Sequence, residues 1–186
     1  GILLARLLQP NDFGTFALAV TLFAFADIRV KLQLEQKFLR DQDDRAEYLN
    51  AYFTLSFALA CVSLMVMSAG AIIVVMLNRA DLAICLFFLG ALGLMDPLTS
   101  AIRLSIEKKV AFRAISLIQT LVAVTQFGVT LAAAWLGWGL WSLLAGTGAS
   151  ALVNLGLFLR IAPRRPTWQV NVSLARAFLE YGIKYG

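Results

Sequence analysis

From Ala114 to Leu159 the chain runs 46 residues without a charge, and this feature limits its fold more than any other. As one helix the run would be roughly 69 Å long at about 1.5 Å per residue. The hydrocarbon core of a bilayer is only about 30 Å thick, so the run has to turn back on itself. Gly137-Trp138-Gly139 is the natural hinge, dividing the stretch into expected spans 114–136 and 139–161. Trp135, Trp138 and Trp141 gather at that hinge, where indole rings suit the headgroup layer. A second charge-free run, Tyr48–Leu77, is 30 residues long. Both runs are apolar on every face rather than along one stripe, which excludes a soluble domain with an enlarged core. Composition agrees: 60% of residues are hydrophobic and 15% charged, whereas soluble domains average about half and about a quarter.

The expected fold is therefore all-α, a polytopic membrane helical bundle. Its remaining spans are 13–30 and 82–102. Within the latter, Pro97 removes a backbone donor and should kink the helix near Asp96. Leu3–Leu8 is too short to cross and reads as the end of a helix, and Leu174–Tyr185 reads as the start of another. The chain is thus expected to be a piece of a longer protein, with a transmembrane lobe over 1–162 and a linker plus the start of a further helix over 163–186.

Charge sets the expected orientation. Assigning the connectors alternately to the two sides puts 14 of the 16 Lys and Arg residues on one side, leaving only Arg6 and Arg79 on the other. The basic side should be cytoplasmic, and the net charge of +5 then reflects topology rather than nucleic-acid binding. Histidine is absent, which removes the commonest general base and metal ligand. Cys61 and Cys85 lie in apolar runs with no paired spacing, and read as packed thiols. Asp41-Gln42-Asp43-Asp44 resembles a metal–nucleotide motif, but Arg40 and Arg45 flank it in a short connector, so it reads as a solvated loop. The expectation is a non-enzyme with no metal and no cofactor.

Several segments resemble one family in co-linear order. Leu3-Leu4-Ala5-Arg6-Leu7-Leu8, Pro10, Asp12-Phe13-Gly14 and Phe16-Ala17-Leu18-Ala19 resemble the L-A-R-L-L-x-P-x-D-F-G-x-F-A-L-A stretch of bacterial polysaccharide exporters and O-antigen flippases, within the multidrug/oligosaccharidyl-lipid/polysaccharide superfamily. Glu107-Lys108-Lys109-Val110-Ala111-Phe112-Arg113 resembles that family's basic connector before its fifth helix. Leu136-Gly137-Trp138-Gly139-Leu140-Trp141-Ser142-Leu143 is similar to its G-x-G-x-W-[AS]-L hairpin, and Arg165-Pro166-Thr167-Trp168 to its R-P-x-W. One departure is Asp27-Ile28-Arg29-Val30, where Arg29 stands in place of the glycine of D-x-G-[LF]. The resemblance implies most of one six-helix lobe of a two-lobe, alternating-access flippase in the bacterial cytoplasmic (inner) membrane. Its substrate would be a polyprenyl-diphosphate-linked oligosaccharide destined for surface polysaccharide such as the O-antigen of lipopolysaccharide. Its partners would be the lipid bilayer and a polymerase or other polysaccharide-assembly proteins, with no nucleic acid. Two alternatives stand beside it: a cation-coupled multidrug antiporter of the same superfamily, and a non-transporting component of an assembly complex.

Ionisable groups at membrane depth are functional candidates by default. Arg6, Arg29 and Lys31 are candidate contacts for a diphosphate, because a guanidinium fork suits phosphoryl oxygens. Each has a plainer reading as a snorkelling or paired charge. Asp27 and Asp96 are candidates for coupling or gating; Asp27 is also placed to pair with Lys31, and Asp96 with Arg103. Gln119 and Gln126, seven positions apart, share a helix face and either line a path for sugar hydroxyls or bond to neighbouring helices.

Overall fold

The computed structural model describes residues 9–27, 34–40, 46–108, 112–162, 166–168 and 178. Among these are seven helices and no strand: α1 Pro10–Ala26, α2 Leu34–Arg40, α3 Ala46–Met76, α4 Ala80–Leu92, α5 Asp96–Glu107, α6 Phe112–Trp135 and α7 Leu140–Ile161. Three of them, over Glu47–Met76, Phe112–Trp135 and Leu140–Ile161, are long and apolar enough to cross a membrane, and α4 with α5 makes a fourth if that bent pair counts as one. α1 has 17 residues, the lower limit for a span. The chain is an all-α membrane bundle.

The break between α4 and α5 has a local cause. Pro97 lies in the first turn of α5, and had the helix run on, its ring would have met the carbonyl of Gly93, four residues back. The chain tightens instead: the Leu94 and Met95 amides donate to Ala91 and Leu92, 3.2 and 2.9 Å, in three-residue steps. The two helices meet at 43°. Gly93 lies close against α1: a β-carbon there would come 3.0 Å from the Phe23 ring.

The turns at the end away from the basic residues are both closed by left-handed residues. After α3, Asn78 has φ 57°; its amide bonds to Val75 and the Arg79 amide to Val74, 2.9 and 3.1 Å. After α6, Gly137 has φ 78°, with its amide on Ala134 and the Trp138 amide on Ala133, 3.0 and 3.2 Å. Both pairs form the Schellman motif, which satisfies the last free carbonyls of a helix. The expected hinge thus folds as a helix stop, and Trp135, Trp138 and Trp141 around it are all exposed.

Between apolar helices in lipid, close approach does the work that hydrophobic burial does in water. Ser142, Gly146 and Ser150 recur every fourth residue on α7, and Thr130, Ala133 and Ala134 face them from α6; all six are buried. α6 packs chiefly on α7, so its other faces are left open. At the basic end, Leu34 and Phe38 of α2 are sunk beside Tyr48, Tyr52 and Leu104. Lys108 covers that cluster, its Nζ 4.3 Å above the Phe38 ring. After α7 the chain returns to α3, where the Thr167 amide donates to Asn50 Oδ1 at 2.9 Å. Trp168 meets Phe57 edge-on at 4.8 Å.

Candidate functional site

A polar cavity of about 390 Å³ opens in the basic half of the bundle. Its position follows from helix register. Tyr52 lies six residues into α3 and Gln119 seven into α6, while Ser100 and Asn154 lie seven from the ends of α5 and α7. At about 1.5 Å per residue this is one layer roughly 10 Å in from the basic helix ends. Chain direction alternates between these helices, so four separate stretches of sequence converge on a single level.

α5 supplies one wall. Asp96, Thr99, Ser100 and Arg103 all line the cavity, while Pro97, Ala101 and Leu104 are buried in the bundle. The hydroxyls on this wall are held in place: Thr99 Oγ1 donates to the Met95 carbonyl at 3.2 Å and Ser100 Oγ to that of Pro97 at 3.3 Å. The Tyr52 hydroxyl donates across to Ser100 Oγ, 3.3 Å. Asp27, which ends α1, is buried at 6% exposure. Its amide caps the helix through the Phe23 carbonyl, 2.9 Å, and Ser63 of α3 binds the adjacent Ala26 carbonyl, 3.1 Å. α1 therefore delivers a carboxylate to the cavity from a fixed end.

α2 supplies the rim with Glu35 and Gln36. Glu35 Oε2 accepts from Arg103 Nη2 at 2.5 Å, with the two side chains 47% and 34% exposed. Arg103 Nε and Asn154 Oδ1 are buried without a hydrogen-bond partner among the described residues. Together the described lining residues bring three carboxylates, one guanidinium, three amides and three hydroxyl groups. No group of three metal-ligating side chains is positioned to hold an ion among the described residues.

Of the residues singled out from sequence, the structure brings Asp27, Asp96 and Gln119 to this cavity. Gln126 lies two turns further along α6, outside the lining and exposed. Arg6, Arg29, Lys31 and the Asp41–Asp44 loop lie outside the described residues. Sequence reasoning missed Glu35, Gln36 and Tyr52, noted Asn154 only as one of the sparse polar residues within the spans, and took Arg103 only as a connector charge or a partner of Asp96. A signal for α2 was present in Leu34-Glu35-Gln36-Lys37-Phe38-Leu39-Arg40, whose apolar Leu34 and Phe38 are spaced by four.

A sequence model described as polysaccharide biosynthesis protein matches residues 3–185, nearly the whole chain. No curated protein matches the chain, and no solved structure does. An all-helical membrane bundle with a family match along almost its full length places this chain in the polysaccharide biosynthesis protein family.

Proposed function

We propose that this chain is one lobe of a flippase that moves a polyprenyl-diphosphate-linked oligosaccharide from the cytoplasmic to the outer leaflet of a bacterial inner membrane. The observation that carries the reading is the polar cavity inside an otherwise apolar bundle. Its chemistry suits a saccharide. Carboxylates and amides accept hydrogen bonds from sugar hydroxyls, and amides and hydroxyls also donate them. Family membership in polysaccharide biosynthesis supports a saccharide ligand independently.

In this reading the basic end faces the cytoplasm, and the cavity binds the sugar nearest the diphosphate as it enters. A second lobe completes the path, and the two open alternately to either side. Asp27 and Asp96 hold hydroxyls through their carboxylates, while Gln119 and Asn154 fix orientation. The polyprenyl tail stays in the lipid beside the open faces of α6. Translocation forms and breaks no covalent bond, so the protein is a transporter rather than an enzyme. A polymerase or another assembly protein takes up the delivered saccharide.

The test deletes the parent gene and restores it at full length as wild type, Asp96→Asn or Gln119→Ala. Lipid-linked oligosaccharide should accumulate on the inner leaflet in the deletion, with surface polymer lost, and each variant should restore it only in part. Normal surface polymer in the deletion strain would overturn the reading. The three carboxylates of the cavity give the cation-coupled antiporter a specific footing as a second reading. Drug efflux that rises with an inward sodium or proton gradient, in a strain with unchanged surface polymer, would favour it.

A further inference from the structure

The Glu35–Arg103 pair joins two elements of unequal standing. Arg103 belongs to α5, which is packed against α3 and α7. Glu35 belongs to a seven-residue helix that touches the bundle along one edge, through buried Leu34 and Phe38. Glu35 is one residue on from Leu34 and so points about 100° around the helix from that buried edge, toward the cavity it lines. α2 is thus anchored through its buried edge, and the Glu35–Arg103 ion pair holds its cavity side. Its Glu35 and Gln36 form the rim of the cavity. Arg103 is only partly used: Nη2 holds Glu35, while Nε is buried with no acceptor among the described residues.

We propose that Glu35 is an internal placeholder at an oxyanion site on Arg103, and that an incoming phosphoryl group takes its place and releases α2 to turn away from the cavity about its Leu34–Phe38 edge. A carboxylate and a phosphoryl group offer the same fork of acceptor oxygens to a guanidinium. Both side chains of the pair are partly exposed, so its strength is modest and exchange is easy. Asp27 and Asp96 remain in the cavity after Glu35 leaves. Those carboxylates accept hydroxyl donors, so an oxyanion that also carries sugar hydroxyls binds more tightly than a bare one. The inference rests on the reading of the cavity as a ligand site, and names the group that admits the ligand.

The experiment measures α2 directly. Spin labels at Leu39→Cys and Phe112→Cys, both exposed positions, are placed in the full-length protein with Cys61→Ala, Cys85→Ala and every other cysteine replaced, reconstituted in lipid nanodiscs. Wild type should give one main distance. Glu35→Gln and Arg103→Gln should each raise the displaced population about two- to fivefold, and the swapped pair Glu35→Arg with Arg103→Glu should restore the main distance. Millimolar inorganic pyrophosphate should shift wild type as Glu35→Gln does and leave Arg103→Gln unmoved, against sodium chloride at matched ionic strength. Wild-type distances in both single variants, or a wild type that ignores pyrophosphate, would overturn the proposal. If the cysteine-free background fails to fold, hydrogen exchange of the α2 amides in unlabelled protein reads the same displacement, with faster exchange expected in both single variants. The distance reports α2 relative to α6, independently of saccharide transport. A helix that moves as described in a protein that transports no saccharide would retire the transport reading and keep the placeholder.

Discussion

The Thr130 side chain of α6 occupies the space that a β-carbon on Gly146 of α7 would need, and the Gln126 carbonyl stands 2.9 Å from the same point. Gly146 is the middle of the Ser142, Gly146, Ser150 row, and the next member at the same spacing is Asn154 of the cavity. The seam that lets α6 and α7 touch therefore also sets how far Gln119 and Asn154 stand from each other.

Gly146→Ala should strain this hairpin. Backbone blocks one side of the added methyl, so relief requires the helices to part, and overpacking of this kind costs about 1–3 kcal/mol. Gly128 on α6 has nothing within 4 Å of its β-carbon position, and Gly128→Ala should stabilise by about 0.5–1 kcal/mol through helix propensity. Thermal unfolding in detergent of the two variants checks both signs. Equal midpoints would mean that α6 and α7 are further apart than described.

The left-handed residue at the end of α3 offers a cleaner backbone test. Asn78→Gly should be neutral or slightly stabilising, because glycine adopts φ near 57° without steric cost. Asn78→Val should lose about 1–2 kcal/mol at the same position. The comparison rests on the difference between two variants at one site, which removes any effect of losing the Asn side chain. Denaturant titration reads it directly.

How much of this was legible beforehand depended on whether the signal was local. The hinge at Gly137 was readable because no bilayer accommodates 46 uncharged residues in one pass. The break near Pro97 was readable because a proline ring acts on its own helix. Gln119 was readable as a polar residue in an apolar run. Glu35 and Arg103 were not, since their significance lies in a contact across 68 positions. Each alone resembles an ordinary connector charge. Tyr52 was hidden for the same reason, and Asn154 was visible only as a polar residue in a span: their depth is fixed by where α3 begins and α7 ends, and their meeting by how the helices rotate against each other. Hydropathy carries neither quantity.

The return of the chain onto α3 also predicts something measurable. Asn50 is the side chain that accepts the Thr167 amide, and Trp168 packs edge-on against Phe53 and Phe57 at 5.0 and 4.8 Å. Asn50→Ala and Trp168→Ala should each speed hydrogen exchange of the peptide containing Thr167, with little change in the apolar stretch of α3. Trp168 is 63% exposed, so the effect on global stability should stay below about 1 kcal/mol. Unchanged exchange in both variants would mean that this clasp does not persist in the membrane.

Asn154 separates a functional cavity from a structural one. Its Oδ1 is buried with no partner among the described residues, a condition that costs a fold about 1–3 kcal/mol. If the residue served packing, Asn154→Leu would be the better choice: the same branched shape, apolar, and free of the unmet acceptor. The expected result is a variant at least as stable as wild type in thermal unfolding, yet poor at restoring surface polymer to the deletion strain. A site kept polar against its own stability is the signature of a ligand. An Asn154→Leu protein that is stable and also restores polymer fully would take Asn154 out of the path, and leave the cavity's selectivity to Asp27, Asp96 and Gln119.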